Sequence, residues 1–474
     1  MTPRLYILSG ASGCGKTSLL NSIAAHNEEQ VDPQILAIRA PKFSEREVRY
    51  KDGQVDDITH VTTIELGDFD IAYVLNNVKY GIKLTPIRQL LNQGFNPFII
   101  LSDFRVVREL KRIFREQAKA LYISSAIDAD RLRRIQMERL GFSPTTEQKR
   151  ILSYHFSRTS AAARLNWWDR VSDCMTELET DWHSYAIDAK STEIRTQKIR
   201  AFHTRYIEHA PLFDHVILNY SENKPEEMTC QVKNLIASID LIEPFKLKQF
   251  PPIFIVAASS GAGKGTLMEM LHFIGRDKVA ITSKLAMRRA KKEDKRDGMI
   301  ALIRDLDDPI PEWPDWWTTE MKELAANGQF PAEYDLRWSF HKKSDTDSEG
   351  TQYAVSSLEI QRNLDLNMPQ IFVSNISQFE SFRRRWPNNA VFVYLHRLVS
   401  EHDNREFQMR KWEDNPLEAE ARIAEKQTVH QSYIETIAEF DHVLLNTDYQ
   451  EDLYDQMFRL LEFYRETQLV HAMV

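Results

Sequence analysis

Two short apolar runs, Leu5-Tyr6-Ile7-Leu8 and Ile253-Phe254-Ile255-Val256, each give way to a glycine-rich stretch and then to apolar residues at helical spacing. Leu19, Leu20 and Ile23 carry that spacing after the first run, and Leu267, Met270 and Leu271 after the second. Continuous large apolar residues bounded by a glycine stretch predict a strand buried on both faces. Apolar positions three and four apart predict an amphipathic helix behind it. Further runs follow: Phe98-Ile99-Ile100-Leu101 with Val106 and Leu110 behind it, Tyr122-Ile123, and Phe372-Val373. Strand and helix patterns alternating in this way predict an α/β fold, with parallel strands and helices on both faces of the sheet.

The pattern is used twice. Phe213-Asp214-His215-Val216-Ile217-Leu218-Asn219 is answered by Phe440-Asp441-His442-Val443-Leu444-Leu445-Asn446, in the same order relative to the two glycine stretches. A duplicated domain is expected: residues 1–241, then a more divergent copy over 250–474. Pro244, Pro251 and Pro252 break the apolar pattern between them. A chain of 474 residues is long enough for two cores. The first copy is the longer one. Its residues from about 151 to 205 read as a helical insertion, with Trp167, Trp168 and Trp182 packed in a core. Around Trp313, Trp316 and Trp317, the prolines at 309, 311 and 314 predict an irregular loop.

The glycine stretches carry the chemistry. Gly10-Ala-Ser12-Gly13-Cys14-Gly15-Lys16-Thr17 fulfils the G-x-x-x-x-G-K-[ST] pattern. Glycines let successive backbone N–H groups turn toward a phosphate, and the following helix adds its positive end. Lys16 is expected on the β- and γ-phosphates of ATP, and Thr17 on Mg²⁺. The second stretch, Ala258-Ser259-Ser260-Gly261-Ala262-Gly263-Lys264-Gly265-Thr266, departs from the pattern at Ala258 and Gly265. Its ending resembles that of adenylate kinases, so Ser260, Gly261, Gly263, Lys264 and Thr266 are nucleotide-binding candidates as well. Asp103, at the end of the 98–101 run, reads either as a carboxylate serving Mg²⁺ or as the N-cap of the helix begun by Val106 and Leu110.

Together these residues resemble guanylate kinase and its relative ribose 1,5-bisphosphate phosphokinase. Lys79-Tyr80-Gly81-Ile82 stands at that family's Tyr-Gly turn, and Ser102-Asp103 ends its acid-bearing strand. The resemblance implies two tandem P-loop NTPase domains, with Arg131, Arg134 and Arg139 in a lid and Arg150 beyond. Arg39 and Tyr80 would meet the acceptor, and Lys42, Arg46 and Arg49 are further candidates. In the second copy Ser283, Arg288 and Lys291 or Lys292 hold the acceptor place, and Arg410 and Arg422 the lid. There Gly350-Thr351 stands for the turn without its tyrosine, and Asn375 for the aspartate. The basic run from Lys284 to Arg296 also reads as a solvated surface helix. These departures mark the second copy as the one expected to have lost turnover.

Composition narrows the rest. A formal net charge of −8 argues against nucleic-acid backbones as general partners. Cys14, Cys174 and Cys230 form neither a disulfide framework nor a zinc motif, so a reducing compartment is expected. No secretory leader and no membrane-spanning run is read, which predicts a soluble cytoplasmic chain. The leading expectation is an ATP- and Mg²⁺-dependent kinase acting on a phosphorylated small molecule, a nucleoside monophosphate or a ribose bisphosphate. A nucleotide sensor or scaffold, and a kinase of nucleic acid, are the alternatives. Oligomeric state is left open.

Overall fold

The first strand, β1 (Leu5–Ser9), is buried along its whole length, as its apolar run demands. After it come β2 (Ala37–Arg39), β3 (Phe43–Ser44), β4 (Thr59–His60), β5 (Ile71–Leu75), β6 (Val78–Ile82), β7 (Asn96–Ile100), β8 (Ala118–Ser125) and β9 (His215–Asn219). The helices among them are α1 (Lys16–Glu29), α2 (Leu84–Asn92), α3 (Phe104–Phe114) and α4 (Pro225–Ile242). The computed structural model describes residues 2–11, 13–29, 36–45, 58–65, 67–75, 77–125, 201–219, 225–242, 249–259, 261–275, 278–287, 299–302, 316–340, 351–398, 401–413, 415–447 and 450–472.

A five-stranded sheet of order β2-β7-β1-β8-β9 is parallel throughout. A smaller sheet of order β4-β3-β6-β5 stands apart from it.

The second half supplies β10 (Ile253–Ala258), β11 (Ala280–Ile281), β12 (Lys284–Met287), β13 (Met299–Leu302), β14 (Leu336–Phe340), β15 (Thr351–Val355), β16 (Gln370–Val373), β17 (Ala390–Arg397) and β18 (His442–Asn446). Its helices are α5 (Lys264–Ile274), α6 (Thr319–Ala326), α7 (Ser357–Asp365), α8 (Phe379–Arg385), α9 (Glu401–Lys411), α10 (Pro416–Glu435) and α11 (Gln450–Ala472). Its parallel sheet has the order β11-β16-β10-β17-β18, and its smaller sheet the order β13-β12-β15-β14. Position for position, these are the orders of the first half.

The architecture is α/β with a parallel sheet in each half, accompanied by a smaller sheet of mixed pairing that the sequence did not predict. One buried apolar cluster runs through both halves, from Ile7 and Tyr122 to Phe372, Tyr394 and Leu445. Residues 151–200 of the expected insertion, with its three tryptophans, lie outside the described residues; residues 201–208 are helical. Trp313 and the nearby prolines lie outside them too. Trp316 and Trp317 pack on Tyr334, with ring centroids 6.0 and 5.5 Å away.

Candidate functional site

β1 is the middle strand of its sheet, and the chain leaves its carboxyl end between neighbours β7 and β8, whose connections diverge to either side. That is the switch point at which open parallel sheets hold ligands. The loop there closes onto the far strand. Asn219, the last residue of β9, donates from Nδ2 to the Cys14 carbonyl at 3.0 Å. Gln231 of α4 fixes the strand end by accepting from Leu218 N at 2.9 Å and donating to Leu218 O at 2.8 Å. Gly15 has φ 98°, and a Cβ there would stand 2.9 Å from Asn219 Nδ2. Only glycine allows both the left-handed turn and that approach. Lys16 Nζ is held over the loop, donating to Gly10 O at 2.8 Å and Ala11 O at 2.6 Å. α1 starts at Lys16 and Thr17 is half-buried in its first turn.

The second half repeats this arrangement around β10. Lys264 Nζ donates to Ala258 O at 2.9 Å and Ser259 O at 2.7 Å. Asn446 Nδ2 donates to Ala262 O at 2.9 Å, and Gln456 brackets Leu445 with two bonds of 2.9 Å. Gly261 has φ 77° and Gly263 φ 103°, like Gly13 at 88° and Gly15 in the first loop. Gly265 fills no steric need, since a Cβ there would meet nothing within 4 Å, and Thr266 is half-buried one place later.

Asp103 lies on the adjacent strand connection, where Leu101 N bonds Leu8 O at 2.9 Å. Its carboxylate accepts from Arg105 N at 2.9 Å and from the Arg105 guanidinium at 3.1 and 2.7 Å. Those bonds outweigh burial and hold the carboxyl below its ordinary range. The N-cap role is therefore visible directly. Asn375, two residues past β16 where Asp103 stands three past β7, likewise precedes a helical turn but makes no side-chain cap.

Two lysines occupy equivalent places beside these strand ends. Lys42 is buried, donates to Ile100 O at 2.8 Å and stands 5.8 Å from the centre of the Tyr80 ring. Lys284 donates to Val373 O at 3.2 Å and stands 5.1 Å from the centre of the Tyr353 ring. Ile100 and Val373 end equivalent strands, opposite Leu8 and Val256. This corrects the placing of the second Tyr-Gly turn at Gly350-Thr351. Tyr80 is opposite Tyr73, and Tyr353 opposite Trp338, each pair stacked. The counterpart of Tyr80-Gly81-Ile82 is thus Tyr353-Ala354-Val355. Alanine in the glycine's place hid it from the sequence. In the first half Phe69 takes that space, its ring 2.5 Å from where a Cβ on Gly81 would lie.

Of the other expected site residues, Arg39 ends β2, with Nη2 3.4 Å from Asn21 Oδ1. Ser283 N donates to Glu359 Oε1 at 3.0 Å. Arg410 is exposed, and Arg422 is buried and paired with Glu425 at 2.9 Å. Ser12, Ser260, Arg46, Arg49, Arg131, Arg134, Arg139, Arg150, Arg288, Lys291 and Lys292 lie outside the described residues.

Each loop thus presents backbone N–H groups, a fixed lysine and a helix N-terminus, a donor set that fits a polyphosphate. The Thr17 hydroxyl is a hard oxygen of the kind Mg²⁺ takes.

No protein-family model matches the chain. A guanylate kinase of Pseudomonas syringae pv. syringae is 32% identical over 133 residues, 26% of this chain and 60% of that protein. One from Chlamydia trachomatis serovar D is 26% identical over 216 residues, 44% of this chain and 89% of its own. A solved guanylate kinase from Anaplasma phagocytophilum aligns at 16% identity and a TM-score of 0.29, covering 47% of this chain and 88% of that one. The chain spans 60% of the Pseudomonas relative's length; it is similar to guanylate kinases at low identity.

Proposed function

We propose that the chain is an ATP- and Mg²⁺-dependent phosphotransferase built from two tandem guanylate-kinase-like domains, residues 1–241 and 250–474. The acceptor is a phosphorylated small molecule, with guanylate the first to try given the relatives' name and a ribose bisphosphate next. The observation that carries this reading is the first loop: a full G-x-x-x-x-G-K-T sequence on the central strand, with Lys16 over the turn and Gly15 seated on Asn219. Lys16 would bind the β- and γ-phosphates, and Thr17 would hold the Mg²⁺ that neutralises charge between them. Lys42 and Tyr80 would face the acceptor. Asp103 could meet the metal only once the exposed Arg105 side chain swings off it. Among the described residues no helix is long and apolar enough to cross a membrane.

Turnover of ATP against a panel of nucleoside monophosphates and ribose phosphates tests the reading. Lys16→Ala is expected to reduce product by about a hundredfold or more, with Lys264→Ala much milder. Loss with Lys264→Ala alone would assign the chemistry to the second half. Tight ATP binding without product on any acceptor would favour a nucleotide sensor, the reading to which Gly265 and Asn375 point.

A further inference from the structure

The two halves meet through equivalent residues. Tyr206 donates its hydroxyl to Val443 O at 3.4 Å, and Tyr433 donates its own to Val216 O at 2.6 Å. Val216 and Val443 are the same position of the repeated strings, the second residue of β9 and of β18. The tyrosines are equivalent too. His203, Tyr206, Ile207 and Glu208 precede the first string as His430, Tyr433, Ile434 and Glu435 precede the second. Each tyrosine stacks on its own half's sheet, Tyr206 on Tyr122 at 3.7 Å and Tyr433 on Tyr394 at 4.3 Å. The 3-10 turn Ala210–Leu212 packs on α11, and its counterpart Ile437–Glu439 packs on α4. Residue i meeting j while j′ meets i′ is the mark of a twofold, self-complementary interface.

The same strands reach the phosphate loops. Three residues beyond Val216, Asn219 holds the Cys14 carbonyl; three beyond Val443, Asn446 holds that of Ala262. Burial pushes the ionisation of both tyrosines up, so both hydroxyls remain donors.

We propose that Tyr206 and Tyr433 are positioning residues at a pseudo-twofold junction, each tying the opposite half's terminal strand and, through its asparagine, the opposite phosphate loop. This rests on the reading that both loops take nucleotide. Such a junction makes an effect at one loop available to the other, because strands β9 and β18 are shared supports.

The full-length chain tests it by binding of a non-hydrolysable ATP analogue with Mg²⁺, measured calorimetrically. Lys264→Ala leaves the first loop to be read, and Lys16→Ala the second. Removing one hydroxyl, with the ring kept in place, should act crosswise. Tyr433→Phe should weaken binding at the first loop about threefold to tenfold, the range of one buried hydrogen bond, and leave the second unchanged. Tyr206→Phe should do the reverse. Equal weakening at both loops, or at neither, overturns the proposal and leaves the tyrosines as packing. A second loop that binds no analogue also overturns it, while the phosphotransferase reading of the first loop survives. A first loop that binds none removes both.

Discussion

Gly15 is set by Asn219, a residue 205 positions from the carbonyl it holds. A methyl group on Gly15 would meet the amide at 2.9 Å while the backbone sits at φ 98°. Strain of this kind costs on the order of 1–3 kcal/mol. Gly15→Ala should therefore weaken binding of an ATP analogue by about tenfold or more while the fold survives; unchanged affinity in a titration would contradict the geometry. The sequence showed the need for glycine here, because the phosphate pattern is local. It could not show the reason, because nothing local joins residue 15 to residue 219. Asp103 left two readings open in the sequence, and of these the structure displays the N-cap, with Arg105 bound to the carboxylate. Tyr353 stayed hidden because its neighbour is alanine rather than glycine.

At the level of elements, the repeated strings explain themselves once the strands are paired. Asp214 accepts from Ala120 N at 2.7 Å and Asp441 from Phe392 N at 2.8 Å, each binding its strand's entry to the neighbouring strand. In the first half Lys111 adds an ion pair to Asp214 at 2.8 Å. Helix α7 shows where element-level reading fails. Ser356 caps it, accepting from Glu359 N at 3.2 Å, so Ser-x-x-Glu has the form of a capping box. Yet Glu359 turns to Ser283 N, just ahead of β12, and its Oε2 is buried without a hydrogen bond. Burial raises this carboxyl from an ordinary 4.5 to about 7. The unfolded chain loses the proton near the lower value and the folded chain only near the higher one. Stability should therefore fall as pH rises between them, by on the order of 3 kcal/mol, and level off above. Urea unfolding across this range should show the slope, and Glu359→Gln should flatten it; a slope unchanged in the variant would place its source elsewhere.

Over the whole molecule, the parallel sheet in each half was legible from the alternation of strand and helix, while the two smaller sheets were not. Nor was the junction. Its tyrosines lie outside the strings that first announced the repeat, and their partners are carbonyls, which no side-chain pattern reports. Because one apolar cluster crosses that junction, the described halves should unfold together. Phe440, buried against Tyr394, Tyr433 and Phe379, offers the test. Phe440→Ala should cost about 3–5 kcal/mol and move a single calorimetric transition downward, whereas two separated transitions would show independent units. The reciprocal contacts carry one more consequence. Where two identical subunits meet across an axis, every substitution at the seam is made twice, and both partners change together. Here Tyr206 and Tyr433 are written at separate places in one chain, so either side of the seam can be altered alone. The same freedom lets Gly265 and Asn375 stand in one half while Thr17 and Asp103 stand in the other.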